Sequence, residues 1–164
     1  MTTRRTFVKG VALAGVGLLG SGTLAQARGL LGAVPGLDPG DPEVPNEQVA
    51  KILKDLFGDR PIRRGQLSLD MPAVAEDGRI VPVIIESPLP MKPDNYVKAV
   101  HLIVDHNPDP HLAAYHLTPA IGSVAIQTRI KMKRTTWVRA ILETSTGDVW
   151  ANYAHVIVSL NGCG

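Results

Sequence analysis

Cysteine is almost missing from this chain: Cys163 is the only one in 164 residues. With no second thiol there can be no disulfide within the chain, and a self-contained thiol-redox enzyme would lack its resolving cysteine. Aromatic residues make up only 4% of the sequence, and Trp137 and Trp150 read as packing residues rather than ligand platforms. Charge of one sign is also scarce. The formal net charge is +2, and three of the basic residues, Arg4, Arg5 and Lys9, fall in a stretch that reads as a removable leader. The remainder is close to neutral, which argues against a nucleic-acid-binding face. Long apolar runs are absent too. The stretch from Gly10 to Gly20 is short for a membrane span and is diluted by glycines at positions 10, 15, 17, 20 and 22. There are no long internal repeats and no low-complexity segment.

What is present begins with that leader. Thr3-Arg4-Arg5-Thr6-Phe7-Val8-Lys9 matches the twin-arginine export pattern, a weakly apolar segment follows, and Ala25-Gln26-Ala27 is a small-x-small cleavage site. Residues 1–27 are therefore expected to be a signal peptide cut after Ala27, and the mature protein to be periplasmic. In that oxidising compartment an unpaired cysteine implies an intermolecular bond or a thiol kept for chemistry.

Residues 28–45 are rich in Gly and Pro, as in Gly36-Leu37-Asp38-Pro39-Gly40-Asp41-Pro42, and read as a linker. A helix is predicted next. Asn46 can cap it, Val49, Ile52, Leu53, Leu56 and Phe57 repeat at helical spacing, and Gly58 can end it. From about residue 66 the pattern changes to period two. Leu67 and Leu69 alternate with polar residues, and Ile80 to Ile85 is an apolar run broken by Pro82, which places it as an edge or bulged strand. Further strands are predicted over Tyr96–Asp105, His111–Thr118, Val124–Met132, Thr136–Glu143 and Asp148–Ser159. About seven short strands at regular spacing with one leading helix predict a mainly β domain over residues 46–159, an immunoglobulin-like antiparallel β-sandwich.

Beyond Ser159 the chain reads Leu160-Asn161-Gly162-Cys163-Gly164. Glycines on both sides leave the thiol unshielded and the backbone free to bend, so residues 160–164 are expected to form a flexible arm, roughly 15 Å long when extended. A thiol at the tip of a tether can hold a substrate covalently and carry it into the active sites of other proteins. No helix N-terminus precedes Cys163, so activation of the thiolate would come from a partner enzyme, which favours a carrier over an autonomous cysteine enzyme.

Several segments taken together resemble the SoxY family, the sulfur-carrying subunit of the SoxYZ complex of thiosulfate oxidation. They are Pro72-Ala73-Val74-Ala75-Glu76-Asp77-Gly78 followed by Val81-Pro82-Val83, then Asn107-Pro108-Asp109-Pro110, then Thr128-Arg129-Ile130-Lys131-Met132, and finally the terminal motif. The family hallmark there is Gly-Gly-Cys-Gly-Gly. Gly162, Cys163 and Gly164 match it, Asn161 stands in place of the first glycine, and the last glycine is absent. The resemblance covers about residues 46–164, and the twin-arginine leader fits it. It implies that Cys163 is the covalent attachment site for sulfur, on an arm formed with Asn161, Gly162 and Gly164, and that the protein itself is a non-catalytic carrier with no metal or haem. It also implies partners: SoxZ as the heterodimer subunit, and transiently a c-type cytochrome enzyme that conjugates thiosulfate, a manganese-dependent thiosulfohydrolase and, in many organisms, a sulfur dehydrogenase.

A rival reading starts from histidine. His101, His106, His111 and His116 recur every five residues. A hairpin turning at Asn107-Pro108-Asp109-Pro110 would set His106 opposite His111 and His101 opposite His116. An offset of five then puts the two pairs on opposite faces of the sheet, so four histidines cannot converge on one metal. The alternative is a periplasmic immunoglobulin-like metal-binding or chaperone module. It would bind copper or zinc through these histidines and tolerate loss of Cys163.

Overall fold

The computed structural model describes residues 42–160, with the side chain of Leu160 excepted. Among the described residues the one α-helix, α1 (Glu47–Phe57), forms where the apolar spacing predicts. The Asn46 side chain accepts a hydrogen bond from the Val49 N–H at 2.9 Å, which satisfies one of the orphan donors of the first turn. Gly58 ends the helix at φ 64°, a left-handed conformation that costs glycine little, and its N–H donates to the Lys54 carbonyl at 2.8 Å.

Nine strands follow: β1 (Ile62–Arg64), β2 (Ser68–Asp70), β3 (Val74–Asp77), β4 (Val81–Ser87), β5 (Val97–Val104), β6 (His111–His116), β7 (Val124–Ile130), β8 (Thr136–Thr144) and β9 (Val149–Leu160). The larger sheet runs β1-β9-β8-β5-β6, with β3 also paired to β9, and the smaller sheet runs β2-β4-β7. The two sheets face each other across a core that includes Val81, Val83, Ile85, Val100, Leu102, Val138, Ala140, Leu142 and Val156. On the outer side of the larger sheet, α1 lays Val49 and Phe57 against Ile103, Ile141, Val149 and Ala151. The fold is therefore mainly β, two sheets with one N-terminal helix, as the patterning predicts.

Three features differ from the sequence expectation. First, β8 does not alternate between buried and exposed positions. One of its faces meets the sandwich core and the other meets α1, so nearly every residue of β8 is buried, as in β5. Second, β1 and β3 were not predicted, and both pair with β9 in parallel, so the larger sheet is mixed rather than purely antiparallel. At three and four residues they are too short to show a period, and both form their ladders along the twelve-residue β9. Third, β4 lies at the centre of its sheet rather than at an edge. Its Pro82 is tolerated because β2 pairs only with Ile84, Ile85 and Glu86, leaving Pro82 flanked on one side, opposite Arg129 of β7.

A buried ion pair fastens the segment before α1 to the sheet. The Arg139 guanidinium donates from Nε and Nη2 to the two carboxylate oxygens of Asp105, at 2.5 and 2.6 Å, and from Nη1 to the Pro42 carbonyl. The Asn46 amide donates to the Asp105 carbonyl at 2.7 Å, so the residue that caps α1 also ties it to β5's end. Arg139 lies over the Tyr153 ring at 5.5 Å.

Candidate functional site

The sequence assigns the chemistry to Cys163, with Asn161, Gly162 and Gly164 as its arm; all four lie outside the described residues. What the structure describes is the place from which that segment departs. Over its last turn of pleat β9 is held on both sides. On one side Val74, Ala75 and Asp77 of β3 stand at the register positions of Ile157, Val158 and Leu160, and the Ile157 N–H donates to the Ala73 carbonyl at 2.9 Å. On the other side Thr136 pairs with Val156, and the Val158 N–H donates to the Thr135 hydroxyl at 2.9 Å. The turn after β3 and the connection between β7 and β8 are joined to each other: the Met132 N–H donates to the Gly78 carbonyl at 2.7 Å, and the Met132 side chain is fully buried. The end of β9 is thus a fixed point. Cys163 is three residues beyond Leu160 in the sequence, about 11 Å of chain when fully extended.

Beside that fixed point, Asp77 is engaged by its own turn. Arg79 donates from Nε to both carboxylate oxygens at 3.0 Å, and from Nη2 to one of them at 2.7 Å. The Arg79 backbone N–H adds a bond at 2.8 Å. The Arg79 side-chain bonds, followed by the backbone bond, hold the Asp77 carboxyl down at about 2.

The histidines are arranged otherwise than a symmetric hairpin predicts. A bulge between Leu102 and Ile103 shifts the register of β5 against β6, so His111 stands opposite Ile103 and His116 opposite Ala99. His101, His111 and His116 therefore share the face that meets α1, instead of dividing between two faces. His101 Nδ1 and His111 Nε2 are 3.1 Å apart, and the His101 ring meets Phe57 of α1 edge-on at 5.3 Å. His106 makes no pair with His111; it bonds the Thr136 hydroxyl at 2.7 Å. Burial pushes the His101 imidazole down to about 4, helped by His111 and His116 and opposed by Glu143. Glu143 closes the same face and accepts from Arg60 and from Lys98, the latter at 2.9 Å. A recess of about 420 Å³ lies there, lined in part by Leu56, Lys98, His101, His116 and Glu143. Among the described residues no group of three or more His, Cys, Asp or Glu side chains is placed to hold a metal ion.

Trp150 packs against the sandwich core with Arg63 over its ring at 5.1 Å, and Trp137 meets the His155 ring edge-on at 5.1 Å. Burial lowers the pKa of His155. No helix among the described residues is long and apolar enough to cross a membrane.

A two-sheet sandwich of this topology is shared by proteins of more than one activity. The sulfur carrier protein SoxY from Chlorobium limicola f thiosulfatophilum superposes with a TM-score of 0.54 at 19% identity, over 68% of this chain and 96% of that one. A putative superoxide reductase from Thermotoga maritima superposes with a TM-score of 0.50 at 15% identity, over 59% and 93%. At these identities the likeness is one of fold. No curated protein matches the chain. The family model "Sulfur oxidation protein SoxY" matches residues 53–163, which runs from α1 through to the cysteine. The chain belongs to the SoxY family.

Proposed function

We propose that this protein is a periplasmic sulfur carrier, exported by the twin-arginine route, that holds thiosulfate-derived sulfur covalently on Cys163 and presents it to the enzymes of sulfur oxidation. The single observation that carries this reading is the extent of the family match, which continues to residue 163 and so includes the only thiol of the chain. The thiolate is the attacking group. Joining it to the sulfane sulfur of thiosulfate forms one S–S bond and releases two electrons, which a c-type cytochrome enzyme would accept. Hydrolysis of the resulting S-thiosulfonate by a thiosulfohydrolase takes up one water, breaks the bond to the sulfonate and leaves a persulfide on Cys163, with sulfate and protons released. A sulfur dehydrogenase would oxidise the remaining sulfane sulfur. SoxZ is the heterodimer partner. Asn161 follows directly on the end of β9, which β3 and Thr135 hold in place.

Incubation with thiosulfate and the cytochrome enzyme, read by peptide mass spectrometry, is the test. Added mass is expected on the peptide containing Cys163 and on no other, removable by reductant because it is held by a sulfur–sulfur bond. Cys163→Ser should fold normally and carry nothing. Loading that survives Cys163→Ser would overturn the proposal.

A further inference from the structure

The basic side chains of the described domain divide into two groups. Lys54, Arg60, Arg63, Arg64, Arg79, Lys98 and Arg139 each face a carboxylate. Among the described residues the cations without an ion pair are Lys51, Lys92, Arg129, Lys131, Lys133 and Arg134, and the last four fall within six consecutive positions. All four are exposed. They occupy the end of β7 and its connection to β8.

Their placement is not left to chance. The buried Asn107 spans the connection with both ends of its amide, donating to the Lys131 carbonyl at 2.7 Å and accepting from the Lys133 N–H at 3.0 Å. Met132, between the two lysines, is buried in the sandwich core and bonded to Gly78. Thr135, next to Arg134, receives the Val158 N–H of β9. These ties set Lys131, Lys133 and Arg134 beside the end of β9. A recess of about 380 Å³ opens between this connection and the turn after β5, lined by His106, Asn107, Pro108, Lys133 and Arg134. The acid at the register position of Leu160, Asp77, is already neutralised by Arg79. The remaining acids on the adjoining segments are Glu76 and Asp109, both exposed, which leaves cations in excess.

We propose that Lys131, Lys133 and Arg134 form an anion site at the base of the carrier segment, which draws small sulfur oxyanions to Cys163 and holds the negatively charged sulfo group once it is attached. This rests on the carrier reading and deepens it, since it assigns the cargo's charge a place on the carrier itself. Cys163 follows Leu160 by three residues, about 11 Å of fully extended chain, and Leu160 stands opposite Asp77, one residue before the Gly78 carbonyl that receives the loop's Met132 N–H. At about 12 Å in water each cation still acts on a unit charge, screened by salt with a length of about 10 Å at 0.1 M. Asn107 is a positioning residue in this scheme, because it fixes the loop that carries the charges.

The test uses a pair of thiol reagents on the full chain, and needs no partner enzyme. The Cys163 thiolate attacks the sulfenyl sulfur of a methanethiosulfonate, forms a mixed disulfide and expels methanesulfinate, so no outside oxidant is required. One reagent carries a sulfonate and the other a quaternary ammonium. The ratio of their rates removes any change in thiol reactivity common to both. Replacing the three residues together, Lys131→Gln, Lys133→Gln and Arg134→Gln, should lower the sulfonate-to-ammonium rate ratio about tenfold at roughly 10 mM salt and about threefold at 0.1 M. In the unsubstituted protein the ratio should fall as salt rises, which checks the idea without any variant. A ratio that neither the substitutions nor salt changes would overturn the anion site while leaving the carrier reading intact. If instead thiosulfate never loads on Cys163 but the ratio responds as described, the anion site stands and the carrier reading fails.

Discussion

β9 starts beside β1 and finishes beside β3, each a short strand running parallel to it. Around the first of these ends every arginine is matched. Arg63 faces Asp148 at 3.1 Å and lies over Trp150, Arg64 faces Glu43 at 3.7 Å and lies over Tyr153, and Arg60 faces Glu143. Around the other end Arg79 is matched by Asp77, but Lys131, Lys133 and Arg134 have no ion pair among the described residues. A cation that is both paired and stacked on a ring is committed to the fold. One left to solvent keeps its attraction for a passing anion. Two ends with the same strand geometry therefore differ in what they can do, and the state of pairing, more than the number of charges, separates them.

The comparison can be broken most violently between the two ends, where Arg139 crosses Asp105 in the interior. Arg139→Ala leaves a buried carboxylate unpaired and frees the Pro42 carbonyl, so it should destabilise the domain by about 3–5 kcal/mol. Urea unfolding followed by circular dichroism measures this.

At the paired end a smaller loss is expected. Glu143→Gln weakens the bonds from Arg60 and Lys98 and should cost about 1 kcal/mol, since both cations are partly solvated. The pH dependence separates two groups on this face. Burial works against the Glu143 charge, but the bonds from Lys98 and Arg60 outweigh it and its pKa is lowered. Its contribution is present above the ordinary carboxylate range and is lost as pH falls through its lowered value. The His101 imidazole, held down at about 4 against an ordinary 6.5, stays neutral in the fold while the unfolded chain takes up a proton. Its contribution is complete above 6.5 and is lost as pH falls towards 4. His101→Gln should flatten the stability profile in that upper window, whereas Glu143→Gln should flatten it below and, by removing the charge that opposes the His101 shift, steepen it within.

The least effect on stability belongs to the end of β9 with free cations. Replacing Lys131, Lys133 and Arg134 by Gln should shift the unfolding free energy by no more than about 0.5 kcal/mol, because no ion pair is lost. A loss as large as that for Glu143→Gln would mean that these side chains hold the fold, and the contrast between the two ends would disappear.

Much of this was legible in the chain. The helix was readable from its cap at Asn46, its apolar spacing and Gly58, because those interactions are local. The strands from β5 onward were readable because each spans six residues or more between turn residues, with β7 alternating outright. The histidine face was not readable, because one extra residue at a bulge moves every side chain beyond it relative to its neighbours. The basic run from Arg129 to Arg134 was visible as letters; nothing in it showed that the loop lies against the end of β9.

By itself, then, the sequence determined the single thiol, the mainly β patterning, the leading helix and the resemblance to the SoxY family, all of which are properties of residue identity and short-range spacing. The tertiary structure alone decided that β3 clamps the end of β9, that His101, His111 and His116 share one face, and which cations are paired. Those facts depend on contacts between residues far apart in the chain, such as Asp77 with Leu160 and Arg60 with Glu143. No local pattern encodes them, because they exist only once burial of the core has brought the strands into register.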